Sequence, residues 1–159
     1  MATRLRFLIT AFQVFVILLA LPIGYRNRSL PELLQRLERT RGLCELPPEQ
    51  VARIVRRIAT LAVFRNRLFP RVCLRRALTG FAMLSGGRCP PTFVIGVRTT
   101  PDGINAHSWL NLEGCPLAER RSVDDFRIVY TYPGEVSPRL GSPEQDTQLL
   151  EALNGLETS

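Results

Sequence analysis

The chain has 159 residues, 45% hydrophobic and 8% aromatic, with a formal charge of +7 whose cations are all arginine. That suffices for one packed domain plus extra segments and excludes a disordered chain. The charge is divided, seventeen arginines facing four acids in residues 1–100 and four facing ten in residues 101–159; the arginines follow amphipathic segments without interleaved aromatics, so an acidic peptide, an anionic membrane surface or plain solvent is their expected counterpart and nucleic acid is not.

Phe7 to Tyr25 carry no charge, and these nineteen residues at ~1.5 Å each make a helix of ~28 Å, just enough to cross a bilayer. Thr10, Gln13 and Pro22 make the span marginal, so a protein-buried helix is favoured over one that spans or lies on a membrane. Arg4 and Arg6 ahead of the run also suit a secretory signal, but no small-x-small cleavage site follows Ala20. Ser29-Leu30-Pro31-Glu32 forms a capping box, in which Glu32 reaches back to the Ser29 amide. Leu30, Leu33, Leu34 and Leu37 then line one face of a short helix. Gly42 and Pro47-Pro48 mark a loop. A second helix follows with Val51, Ile54, Val55, Ile58, Leu61 and Ala62 on its apolar face and Arg53, Arg56 and Arg57 opposite. After Pro70 a third helix opens at Cys73, buries Leu74, Ala77, Leu78, Phe81 and Leu84, and stops at Gly86-Gly87.

The period then changes to two. Pro91 to Arg98 is a β-branched strand, and Thr100-Pro101-Asp102-Gly103 is a turn by its chemistry. The next strand sets Ala106, Ser108, Leu110 and Leu112 on one face, with His107, Trp109 and Asn111 on the other. Glu113-Gly114 turns toward a short strand at Cys115 to Glu119, and Phe126 to Tyr132 makes another. From Pro133 the chain is acidic, with one weak helix near Leu149-Leu150. Helices followed by an antiparallel meander make an α+β fold. The organisation is an apolar N-terminal helix over 1–28, a domain over 29–132 and an acidic tail over 133–159.

The chemistry is bounded by a single histidine, His107. A thiol nucleophile needs a base and a group to orient that base, so a Cys–His enzyme built on this chain must use His107. Cys73 is its best partner, because a helix N-terminus favours a thiolate and Arg71, Arg75 and Arg76 add positive charge nearby. Cys44, Cys89 and Cys115 lie in turns or at a strand start. The four cysteines are too scattered for zinc and read as reduced thiols, a disulfide among Cys44, Cys89 and Cys115 being the alternative. Neither metal nor cofactor is expected. Taken singly, Cys73 also reads as a small buried helix residue and His107 as a satisfied imidazole.

Cys73-Leu74 with Arg76-Ala77-Leu78, then Phe93-Val94-Ile95-Gly96-Val97-Arg98, then His107-Ser108-Trp109 with Gly114, resembles the transglutaminase-like cysteine peptidases of lasso-peptide biosynthesis. The resemblance covers roughly residues 65–130 and implies a papain/transglutaminase-like core. It implies a triad of Cys73, His107 and Glu119, the acid twelve positions after the histidine, where the family usually has aspartate. Ser108 and Asn111 also depart from the family's usual alanine and glutamate. The implied function is removal of the leader from a ribosomally made precursor peptide. A separate leader-recognition protein would deliver that precursor, and an ATP-dependent macrolactam cyclase would close the released core. Trp109 would line the cleft or belong to the core. A transglutaminase-type acyl transferase and a non-catalytic membrane-associated scaffold are the competing readings. The expected compartment is the cytoplasm, with possible contact through residues 7–25 at the inner face of the membrane.

Overall fold

A helix covers the whole of the apolar N-terminal run: α1, Ala2–Arg26. It leads into α2 (Leu30–Arg39), α3 (Pro48–Ala59) and α4 (Val72–Leu84). The strands follow as β1 (Thr92–Thr100), β2 (Gly103–Leu112), β3 (Cys115–Pro116) and β4 (Arg127–Tyr132). These are the elements of a computed structural model that describes residues 2–26, 28–39, 46–61, 72–101, 103–119 and 122–134. The α+β arrangement expected from the change of period is the one found. Gly42, Cys44, Pro70, Arg71, Asp102 and the acidic tail beyond residue 134 lie outside the described residues.

The helices build one apolar cluster. Val14, Leu18 and Leu21 of α1 join Leu33, Leu34 and Leu37 of α2 and Val51, Ile54 and Val55 of α3. Ala77, Leu78, Phe81 and Leu84 of α4 complete the helical side, and Phe93 and Leu110 cap it from the sheet. The capping box forms as expected, with the Ser29 amide donating to Glu32 Oε2 at 3.2 Å. Helix α3 ends at Ala59, short of the expected Leu61, with the Thr60 hydroxyl donating to the carbonyls of Arg56 and Arg57; Ala62 lies outside the described residues. Leu61, expected on the buried face, is exposed.

The sheet is antiparallel in the order β3-β2-β1-β4. Strands β1 and β2 pair along their length, from Thr92 opposite Asn111 to Thr100 opposite Gly103, which places His107 across from Gly96. Leu110 meets α4 on the helix side of β2, while Trp109 lies on the other face, as the alternation requires. The expected strand from Cys115 to Glu119 is shorter, ending at Pro116. The Leu117 amide still reaches the Leu110 carbonyl at 2.7 Å, but Ala118 takes φ 54 and bends the chain out of the ladder. That left-handed conformation costs a non-glycine residue about 1–2 kcal/mol. It falls immediately before Glu119. At the other edge, Tyr132 donates a hydrogen bond of 2.7 Å to Glu38 and ties β4 to α2.

Candidate active site

Cys73 is the second residue of α4, where backbone amides lack intrahelical acceptors and the helix dipole presents its positive end. It is half-buried and its thiol is free. Its neighbours are on β2. His107 hydrogen-bonds to the thiol, and both the backbone and the hydroxyl of Ser108 approach it. The Ser108 hydroxyl oxygen is buried without a well-aligned hydrogen bond, so it lies close to the thiol without bonding to it.

The acid arrives from the loop after β3. Glu119 Oε2 lies 3.2 Å from His107 Nε2. Its other oxygen, Oε1, accepts a hydrogen bond of 3.2 Å from Arg76 Nη2, one turn along α4 from Cys73. Each carboxylate oxygen thus has its own donor, and the ring nitrogen left for the thiol is Nδ1. With Arg76 26% exposed, His107 23% and Glu119 12%, the array is partly enclosed and still reachable.

These contacts set the charge states. Burial alone would push the Cys73 thiol up, but the hydrogen bond and charge of His107 and the close approach of Ser108 outweigh it and hold the thiol below its ordinary value. The reverse holds for the imidazole. Its hydrogen bonds to Cys73 and then to Glu119 raise His107 from 6.5 to about 9, against the opposing pull of burial. Both shifts favour the pair as thiolate and imidazolium, the form in which a thiol attacks without first losing a proton. Arg75, buried beside the thiol, is lowered by that burial and partly restored by the Cys73 charge.

The ring of His107 is fixed by aromatic contacts. Trp109 stacks on it at 5.9 Å between centroids and 20° between planes. Phe126 lies 5.6 Å away at 44°, with the Arg98 guanidinium over its ring at 4.8 Å. Trp109 is 2% exposed, and its Nε1 donates to Asn111 Oδ1 at 2.9 Å. Of the two roles open to Trp109, the structure gives it the buried one, supporting the imidazole. The stack requires glycine at position 96, since a Cβ there would meet Trp109 Cη2 at 2.7 Å and Phe126 Cβ at 2.9 Å.

Cys73, His107 and Glu119, named from the sequence, are thus brought together by three separate elements. Asp124 is bonded instead to Ser122 at 2.6 Å, and both Asp124 and Asp125 are exposed. Cys89 and Cys115 are free and exposed, with no disulfide between them. The sequence named Arg76 for its charge beside Cys73 and Asn111 for its place on the strand face of His107 and Trp109, but not their bonds to Glu119 and Trp109. Phe126 and Arg98 were placed in strands and given no part in the site. A crevice of about 30 Å³ lies on the Arg76–Glu119 flank between α3, α4 and β2. It has room for about one water molecule, and Cys73 and His107 are not among its walls.

A family model described as the transglutaminase-like superfamily matches residues 15–131. No curated protein and no solved structure matches the chain.

Proposed function

The chain belongs to the transglutaminase-like superfamily, whose activities are of the cysteine peptidase or acyl transferase type, and on that footing we propose that it is a cysteine peptidase. We propose further that it removes the leader from a ribosomally made lasso precursor, ahead of ring closure by a separate ATP-dependent cyclase. The observation that supports the chemistry best is the shared hydrogen bonding of His107 with Cys73 and Glu119. The Cys-Leu, Val-Ile-Gly-Val and His-x-Trp segments support the substrate.

In this reading the Cys73 thiolate attacks the carbonyl at the leader–core junction. The Cys73 amide, unpaired at the helix start, donates to the oxyanion that forms. Collapse breaks the C–N bond, and the His107 imidazolium gives its proton to the departing amine. The core leaves with a free α-amine, and the leader remains as a thioester on Cys73. Water, deprotonated by the now neutral His107, hydrolyses that thioester and restores the thiolate–imidazolium pair. Glu119 holds the imidazole and stabilises its charge throughout, and Arg76 holds Glu119. No step needs a metal or cofactor. Leader recognition is assigned to a separate protein, and the reaction to the cytoplasm, where precursor peptides are made and thiols stay reduced.

An amine in place of water would make the same thioester an acyl donor. Incubating the protein and a recognition partner with a lasso precursor peptide, with and without added alkylamine, separates the outcomes by mass. Peptidase action gives a leader ending in a free carboxylate in both cases. A leader that gains the mass of the amine identifies acyl transfer, and an uncleaved precursor refutes both.

A further inference from the structure

Helix α1 is apolar on two opposite sides. Thr10, Val14, Leu18 and Leu21 face the domain and are buried. About half a turn away by the helical repeat of ~100° per residue, Leu5, Leu8, Phe12, Val16, Leu19 and Ile23 are exposed, Phe12 at 68% and Ile23 at 69%. Only 22% of the most apolar window of Arg4–Gly24 is buried. Single exposed hydrophobic residues are ordinary on a protein surface; a continuous row over about five turns marks a place of contact.

We propose that this outer face of α1 rests in the interfacial layer of an anionic membrane, with the helix axis parallel to the membrane plane. The proposal does not depend on the chemistry at Cys73. Lying fits better than spanning. To cross a bilayer, α1 would have to withdraw Val14, Leu18 and Leu21 from the cluster they share with Leu33, Leu34, Val51 and Val55. That exposes the core to water and gives the withdrawn side chains nothing they lacked. Lying flat keeps the inner face packed and buries the outer one.

Charge selects the partner. The first acidic residue of the chain is Glu32, and ahead of it stand Arg4, Arg6, Arg26 and Arg28. Arg4 and Arg6 are exposed and fall on opposite flanks of the apolar row by the helical repeat. Arginine stems on such flanks lie along apolar surface while their guanidinium groups reach lipid phosphates. A protein interface of this size would set polar, hydrogen-bonding residues among its apolar ones. The exposed row has none, since Thr10 is buried and Gln13 lies to one side.

Flotation of the full chain with vesicles tests the proposal, using phosphatidylcholine alone and phosphatidylcholine with about one third phosphatidylglycerol. The protein is expected to float with the anionic vesicles, less so as salt rises, and to be released by alkaline carbonate. Phe12→Glu with Ile23→Glu should lower partitioning at least about tenfold, because exposed apolar contacts become charges. Arg4→Glu with Arg6→Glu should do the same for anionic vesicles only. Both double variants change exposed positions, so alkylation of Cys73 should keep its wild-type rate and report an intact domain. Failure of the wild-type protein to float with either vesicle overturns the proposal. Retention through carbonate overturns it in favour of a spanning helix. A lipid-free dimer that Phe12→Glu dissociates, without flotation, overturns it in favour of a second copy of the chain.

Discussion

Glu119→Gln is the most informative change at the site, because both carboxylate oxygens are in use. Oε1 accepts from Arg76 and Oε2 meets His107 Nε2, each at 3.2 Å. Glutamine offers one acceptor oxygen and one amide nitrogen. Whichever way it turns, either Arg76 or the imidazole Nε2–H faces another donor. The loss is then one hydrogen bond to a charged group, with Glu119 only 12% exposed, or about 2–3 kcal/mol. That converts to a reduction of roughly 30- to 150-fold in kcat/KM. It is smaller than the ~10⁴-fold known for loss of the acid in a serine triad, because the glutamine still bonds one of the two partners. The variant should also lower His107 from about 9, so that less of the thiol is ionised at neutrality. Iodoacetamide alkylation of Cys73, followed by mass with exposed Cys89 and Cys115 as internal references, reads that change without any peptide substrate. Wild-type alkylation together with wild-type cleavage in Glu119→Gln would refute the reasoning and move the role to another acid.

The anchor and the ring support give further expectations. Arg76→Met should slow cleavage several-fold by loosening Glu119, and Arg76→Lys should recover part of the loss; an unchanged kcat in Arg76→Met would count against the anchoring role. Gly96→Ala places a Cβ 2.7 Å from Trp109 Cη2, and such overpacking costs about 1–3 kcal/mol; a thermal midpoint equal to wild type would show that the Trp109–His107 stack is not tight. The pH profile follows from the charge states. Cleavage needs imidazolium to protonate the leaving amine, so kcat/KM should fall as pH rises through about 9, while alkylation persists there because the thiolate remains. At the acid end both should fall together as Cys73 takes a proton. Cleavage that keeps rising above pH 9 would contradict the assignment of His107.

Much of the site was legible because its chemistry is scarce. One histidine left no choice of base, and only Cys73 among the thiols begins an amphipathic helix. The helical stripes of α2, α3 and α4 and the alternation along β2 were equally plain. What escaped notice depends on three-dimensional neighbours. Arg76 reads only as positive charge near Cys73 until the loop after β3 sets Glu119 beside it. Phe126, expected to open the last strand, lies in the bend just before β4, and the alternation of that strand does not show that it would meet His107. The early end of β3 follows from φ 54 at Ala118, which alanine does not announce. Helix α1 was read as buried or membrane-associated, as if these excluded each other. Its periodicity is weak because both faces are apolar, and the structure buries one and exposes the other.

The central claim is that Cys73 is the nucleophile of a peptidase. Its most direct test is a single-turnover reaction with the precursor peptide, comparing wild type with Cys73→Ala by intact mass. The wild-type protein should carry a transient acyl adduct on Cys73 and release the core. Cys73→Ala, folded by circular dichroism, should form no adduct and leave the precursor whole. Cleavage by Cys73→Ala at near the wild-type rate would contradict the account.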